Sequence, residues 1–316
     1  MPHGFDLPFS IRDAIADPPV VAVVDAGAID TGSDPVWKAL AAAGLARIVG
    51  FEPIVAACDK LNADAPDGAY FLPTALGDGG VRTLRIARHA PFSSLYSVNQ
   101  AFVDLFDGLA ALMATVDSEH VATRRLDDVE ALQDSGCDFL KVSVQGSEYE
   151  TLINAPKTLE QTLVVQTTAC LAPVYVDSPG IGPIDTLLRA AGFIVHQYLG
   201  SGGRALAWSD GVRPGATPPL NQHLWSDVVY VKDFTHADRQ SAERWIRLAV
   251  IVHVTYGAWD LAHLALCHAD RLTGSTLGPR YLAAGNEALL RTRGQALPAD
   301  AARSKPGWLS RLLSRA

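Results

Sequence analysis

The residues of this chain with the clearest chemical potential are acids that end apolar runs. VVAVVD, Val20 to Asp25, closes on an aspartate two residues before Gly27, in the string Asp25-Ala-Gly-Ala-Ile-Asp-Thr-Gly32. A continuous β-branched run reads as a buried parallel strand, and such strands present their carboxyl ends to a ligand crevice. The glycines are spaced as in a phosphate loop, but Ser33 and Asp34 stand where Lys and Ser/Thr would be needed. The GxGxxG spacing of a dinucleotide fingerprint is absent too. What remains is an acid and a glycine at the mouth of a sheet, where backbone amides can approach a ligand closely. The plainer alternative is a tight turn with a capping acid. Glu52 adds weight to the first reading: it ends the next strand, where a carboxylate can accept hydrogen bonds from both hydroxyls of an adenosine ribose. The pair, in this order, points to a nucleoside-containing cofactor.

A second chemical question lies in DFLKVSVQGSEYETL, Asp138 to Leu152, an apolar strand that runs into Gly146 and then a helix. The strand closes on Ser143. A serine hydroxyl can bond a substrate, but without activation it is no general base. His89, in RHAPFSSLY, and His196 are the candidates to accept a proton instead, since a neutral imidazole suits transfer near neutral pH; the competing reading makes each a surface or structural histidine. Tyr175 and Asp177 follow the fifth strand and are placed to line an acceptor. His263 and Cys267, with His268 adjacent, have helical i, i+4 spacing, but no accompanying ligand set is present. Packed helix is the better account, and no metal is expected.

The elements that must position these groups follow a β-α-β-α rhythm, the mark of an open parallel sheet. Ser33 or Asp34 is expected to cap the first helix, with Pro35 in its first turn and Gly44 at its end. Strands are expected at Arg47–Phe51, Ala69–Leu76, Cys137–Ser143 and Leu163–Thr168, with Phe193–Tyr198 and Asp227–Lys232 closing the sheet. Val81–Ala87 reads as a hairpin partner of the third strand, Gln100–Met113 as a helical insertion, and Ser147 with Glu150 as a capping pattern. Gly200–Pro219 reads as a surface loop, and the chain turns wholly helical from His236. The most apolar stretch, Trp245 to Cys267, is interrupted by Arg247, His253, Asp260 and His263, which suits a buried core helix better than a membrane span.

Composition narrows the classes further. The 316 residues are 48% apolar and 19% charged, as in globular proteins, and the net charge of -8 opposes wholesale nucleic-acid binding, which demands a basic footprint. Cys58, Cys137, Cys170 and Cys267 form no CxxC pair and read as reduced thiols, and the N-terminus carries no secretory pattern, so a cytoplasmic location is expected. The terminal WLSRLLSRA places apolar and basic residues on opposite faces. Weak peripheral membrane contact competes there with a frayed or docked tail.

GFEP at Gly50, ALGD at Ala75, SSLY at Ser93, RRLDD at Arg124, DFLKVSVQGSEYETL at Asp138, PVY at Pro173 and WSDVVYV at Trp225 occur in the order seen in FkbM-type methyltransferases. The chain resembles that family from about Val20 to Asp233, and the helices beyond look like the extension of some members. The resemblance implies a Rossmann-like class I methyltransferase fold with a seven-stranded, mostly parallel sheet whose last strand is antiparallel, followed by a C-terminal helical extension. It implies S-adenosylmethionine as cofactor and O-methylation of a hydroxyl on a carbohydrate or secondary metabolite. Asp25 and Gly27 would hold the methionine part, Glu52 the ribose, and Gly77 and Asp78 would lie near the adenine. The expected division is an N-terminal arm (1–19), a methyltransferase domain (20–235), a helical extension (236–282) and a basic, flexible tail (283–316).

The departures bear on mechanism. The family pattern K-[IVL]-D-[VI]-[EQ]-G becomes Lys141-Val-Ser143-Val-Gln145-Gly146, and the acids expected on the next strand are replaced by Gln166, Thr168 and Cys170. Ser143 and His89 are the residues put forward for a catalytic role, with His196 the second histidine candidate. A methyltransferase-like protein that binds cofactor with little or no turnover is the alternative. A dehydrogenase or sugar-nucleotide enzyme on the same sheet is a third.

Overall fold

A computed structural model describes residues 9–207 and 222–293. Strand β1 (Val21–Ala26) is buried at every position, as its β-branched run requires. It leads through α1 (Lys38–Ala42) to β2 (Ala46–Phe51), then through α2 (Val55–Ala63) to β3 (Ala69–Leu72). β4 (Ala75–Leu76) and β5 (Val81–Ala87) follow, then α3 (Gln100–Val103), α4 (Leu109–Met113) and β6 (Thr115–Arg124). The chain returns through α5 (Glu130–Ser135) to β7 (Phe139–Val142), through α6 (Glu148–Ile153) and α7 (Pro156–Gln161) to β8 (Val164–Cys170), and through α8 (Ile181–Ala190) to β9 (Phe193–Gly203) and β10 (His223–Lys232). It ends in α9 (Ala242–Tyr256), α10 (Trp259–Thr273) and α11 (Leu277–Arg293).

Seven strands form one sheet in the order β3-β2-β1-β7-β8-β10-β9, with β10 antiparallel to both neighbours and the other pairings parallel. Strand order reverses between β1 and β7, the switch point where such sheets open a ligand crevice. One face buries Val23, Phe139, Val164 and Val229 under α9 and α10. The other buries Val24, Leu140, Val165 and Tyr230 under the helices that connect the strands. A small sheet, β4-β6-β5, stands beyond the carboxyl ends of the main strands.

Several expected elements are redrawn. Residues Ala69–Leu76 do not make one strand: Pro73, which has no amide for a ladder, divides them, and the halves join different sheets. Val81–Ala87 pairs with β6 rather than with the third strand. β6 had no legible pattern because nearly all of TVDSEHVATR is exposed. The Gln100–Met113 insertion is two short helices broken before Gly108, and Phe193–Tyr198 extends to Gly203. Most of the expected 200–219 loop, residues 208 to 219, lies outside the described residues.

The first helix begins at Lys38, beyond Ser33, Asp34 and Pro35, because Trp37 turns inward to bond Asp25. Ser147 makes no side-chain cap; its hydroxyl donates back to the Val144 carbonyl at 2.8 Å. The apolar Trp245–Cys267 stretch is a hairpin of two helices, turned at Gly257 with φ +62°. α11 continues past residue 282 to Arg293, so the stretch expected to open a flexible tail begins as helix. WLSRLLSRA lies outside the described residues. Among the described residues, no helix is long and apolar enough to cross a membrane.

The helical extension is fastened to the sheet by more than apolar burial. Asp138 Oδ2 accepts from the Ala22 amide of β1 and from Arg247 Nη1 of α9, each at 2.9 Å, and the same Arg247 nitrogen donates to the Val20 carbonyl at 2.8 Å. Arg247 also pairs with Glu243 at 2.9 Å, so loss of Asp138 chiefly strands the Ala22 amide and removes one of two charge partners of Arg247. Asp138→Ala is expected to lower the unfolding free energy by about 1–3 kcal/mol, measured by urea denaturation; a loss under about 0.5 kcal/mol, the range of an ordinary surface change, would show that the tie contributes nothing.

Candidate active site

The cleft opens where β1, β2 and β7 end. Gly27, Phe51, Glu52, Ser143 and Gln145 line one side, while Thr74, Leu84, Pro91, Ser93 and Ser94 approach from the small sheet and its connections. The sequence-selected residues Gly27, Glu52 and Ser143 are therefore brought together. Asp25 is next to them, but its carboxylate is turned into the interior and is not among the lining residues. Its buried carboxylate accepts from Trp37 Nε1 at 2.8 Å and pairs with Lys141 Nζ at 2.8 Å. Lys141 also donates to the Gly27 carbonyl at 2.6 Å.

Gly27 has φ +79°, and a Cβ built there would stand 2.0 Å from the Ser143 carbonyl oxygen. Only glycine combines this backbone conformation with so close an approach. Gly77 is buried and Asp78 exposed, just beyond Leu76, which lines the cleft. Asp78 accepts from the Gly80 amide at 2.9 Å and pairs with Arg82, so it shapes its own turn. His89 is exposed and its ring lies against Phe92. His196 lies half-buried on β9, toward the far edge of the sheet, where burial lowers its pKa. Neither imidazole is among the cleft-lining side chains. His263 Nε2 contacts Cys267 Sγ at 3.4 Å, whereas His268 Nε2 faces the Phe234 carbonyl at 2.9 Å, so the three do not converge.

The loop after β7 depends on a residue that sequence reasoning passed over. Glu148, 2% exposed, accepts from the Val144 and Gly146 amides at 2.9 Å each. Burial pushes its pKa up to about 7 despite those bonds. The loop holds Gln145 at φ 51°, with its carbonyl accepting from Ser94 Oγ and its side chain within 3.2 Å of Tyr175 Oη. Tyr175 is thus buried support for the loop and not an exposed acceptor contact, while Asp177 is exposed at φ 58°. The motifs SSLY, DFLKVSVQG and PVY meet at this one residue. The only signal for Glu148 was an acid two residues after a Gly, which is common.

Glu52 is 3% exposed, and its Oε1 accepts from the Ile54 amide at 2.8 Å. Burial raises its pKa from 4.5 to about 7. Where acids were expected, Thr168 Oγ1 stands 3.1 Å from Ser143 Oγ and 2.6 Å from Asp227 Oδ1. Gln166 Oε1 accepts from Tyr256 Oη of α9 at 2.9 Å. Asp227 and Tyr256 went unnoticed because the first sits in a run that reads simply as a strand and the second in a run that reads simply as a helix.

A seven-stranded sheet of this order, with a Gly turn and an acid at the ends of its first two strands, defines the Rossmann-like methyltransferase class. The sequence matches the methyltransferase FkbM domain over residues 25–195, and the chain belongs to that family. No significant sequence match is found among curated proteins. Structural similarity extends to the magnesium protoporphyrin IX methyltransferase of Synechocystis with bound SAM, at 9% identity and TM-score 0.33 over 71% of this chain and 76% of that one. It also extends to a 16S rRNA adenine methyltransferase of Catenulisporales acidiphilia, at 11% identity and TM-score 0.31 over 70% and 91%. Superpositions this loose carry no argument about the site.

Two outcomes test the site. Gly27→Ala is expected to cost at least about 1–2 kcal/mol, from the positive φ and the carbonyl contact together, as read by thermal unfolding. Glu52 binds its proton more tightly folded than unfolded, so the stability it lends is complete below about pH 4.5 and is lost as pH rises through about 7. Wild type should therefore lose on the order of 2–3 kcal/mol more than Glu52→Gln across that window, measured by urea denaturation at both ends; equal slopes would contradict the buried, partner-poor carboxylate.

Proposed function

We propose that the chain transfers a methyl group from S-adenosylmethionine to a hydroxyl of a carbohydrate or secondary-metabolite acceptor. The observation that carries this reading is the buried Glu52 carboxylate facing the same cleft as the Gly27 turn. A carboxylate held there, with one oxygen on the Ile54 amide, fits the paired hydroxyls of a ribose. The side-chain-free turn at Gly27 fits close approach of the rest of the cofactor. When bound, the cofactor supplies an already activated methyl on sulfur, and the protein's part is alignment and removal of the acceptor proton.

The acceptor class is supported by the walls of the cleft. Thr74, Ser93, Ser94, Ser143 and Gln145 offer neutral donors and acceptors among Ile29, Leu84 and Pro91, with no Lys or Arg among the residues that line it. Such a surface suits a neutral polyol better than a phosphate-rich partner, and the net charge of -8 acts in the same direction. In this reading residues 20–235 form the transferring unit and the helices beyond cover one sheet face.

The replacement of the expected acids by Ser143, Gln166 and Thr168 favours a second reading, binding of cofactor without efficient turnover. Calorimetry with S-adenosylhomocysteine tests what both share. The ionised form of Glu52 is the better acceptor for ribose hydroxyls, so affinity is expected to rise from about pH 6 to about pH 8. Glu52→Gln should bind roughly 10- to 100-fold more weakly with little pH dependence. Binding of NAD in place of S-adenosylhomocysteine would sink both readings. Methyl transfer from labelled S-adenosylmethionine to a saccharide panel then separates turnover from mere binding.

A further inference from the structure

Ser143, Thr168 and Asp227 share one sheet face at the cleft end. Ser143 follows directly on β7, Thr168 lies on β8, and Asp227 lies on β10 directly opposite Thr168 in the antiparallel register. A threonine hydroxyl carries a single proton, yet Thr168 Oγ1 contacts both Ser143 Oγ and Asp227 Oδ1, at 3.1 and 2.6 Å. The shorter contact ends on a carboxylate, and a charge-assisted bond of that length takes the proton. The proton on the longer contact is therefore the serine's. Ser143 then directs its O–H into the sheet and leaves lone pairs for the cleft, which it lines.

We propose that Asp227 is the proton acceptor of the methyl transfer, reached from the acceptor hydroxyl through Ser143 and Thr168. The proposal rests on the methyl-transfer reading above. The relay puts the carboxylate that Ser143 lacks one strand further across the sheet, on β10. Asp227 is suitably placed for the work. It is half-buried, and among the described residues no Lys, Arg or His is ion-paired with it. Across the β10–β9 pairing it faces Gly200, which has no side chain to cover it. Tyr256, close enough for the Asp227 charge to add to what burial does to its phenol, gives its own proton to Gln166 and not to Asp227.

The step balances without a further reactant. The acceptor oxygen forms a bond to the methyl carbon as the sulfur–methyl bond breaks, and that bonding pair remains on sulfur. The acceptor proton passes to Ser143 Oγ, the serine proton to Thr168 Oγ1, and the threonine proton to Asp227, which becomes a neutral carboxylic acid and returns its proton to water. Asp227 and Thr168 act through Ser143, so they are positioning and proton-relay residues; Ser143 alone touches the acceptor.

The test uses the full chain with labelled S-adenosylmethionine and a panel of simple saccharides, comparing Thr168→Val, Thr168→Ser, Asp227→Asn and wild type. Thr168→Val keeps volume and removes the hydroxyl. It and Asp227→Asn should lower kcat by about 10²-fold or more, with KM for the cofactor and S-adenosylhomocysteine affinity within about twofold of wild type. Thr168→Ser should stay within a few-fold of wild type. A second readout needs no turnover: in the cofactor-free protein the ¹³C carboxyl resonance of Asp227, identified by its loss in Asp227→Asn, should move in Thr168→Val and hold in Thr168→Ser. If Asp227→Asn does not fold, the two threonine variants carry the test. Wild-type rates in Thr168→Val, an unmoved Asp227 resonance, or a wild type that binds S-adenosylhomocysteine and methylates nothing on the panel would overturn the relay. Failure to bind S-adenosylhomocysteine would instead overturn the cofactor reading beneath it.

Discussion

Lys141 joins the two central strands whose ends form the cleft: its Nζ reaches Asp25 Oδ1 at 2.8 Å and the Gly27 carbonyl at 2.6 Å. The parallel register sets Asp25 beside Lys141, so the pair forms across one rung of the sheet. A largely buried carboxylate needs such compensation, and Trp37 supplies a further bond at 2.8 Å. With both Asp25 and the Gly27 carbonyl held, the turn after β1 lies against Ser143. The chain there comes so close that any side chain at Gly27 would displace the neighbouring strand end. Asp25 thus shapes the cleft without lining it.

The loop on the other side of the cleft is held by an independent device. Glu148 accepts two loop amides from within the protein interior, and Ser94 and Tyr175 fix Gln145 from above. Such satisfied buried networks hold one backbone arrangement because the alternatives leave polar groups unpaired. A loop with a non-glycine residue at positive φ is kept in place by surroundings of this kind.

The helical extension takes part in this arrangement. α9 covers the sheet face that bears Asp25, Lys141, Gln166 and Thr168, and its last residue, Tyr256, bonds Gln166 directly. Phe9 packs against His253, Trp259 and Tyr281, so the start of the described chain and the end helices share a core. What separates in sequence as arm, domain and extension is continuous in packing.

The sequence by itself determined the parallel sheet, its Gly turn, the acid after β2 and the family, because those features are written in local runs: β-branched strands, glycines at turns, and motifs in order. It also showed that Ser143 lacks a carboxylate. It left β6 unread, since an exposed polar strand has no periodicity, and ran α9 and α10 together across the short turn at Gly257 and Ala258. Only the tertiary structure decided that Asp25 faces Lys141 and not the cleft, that Glu148 supports the loop, and that Asp227 lies within 2.6 Å of Thr168. The Asp25–Lys141 and Thr168–Asp227 pairs join distant parts of the chain across sheet rungs, so strand register determines that they meet; Glu148 bonds amides two and four residues away, and only its burial under the fold gives that local contact its weight.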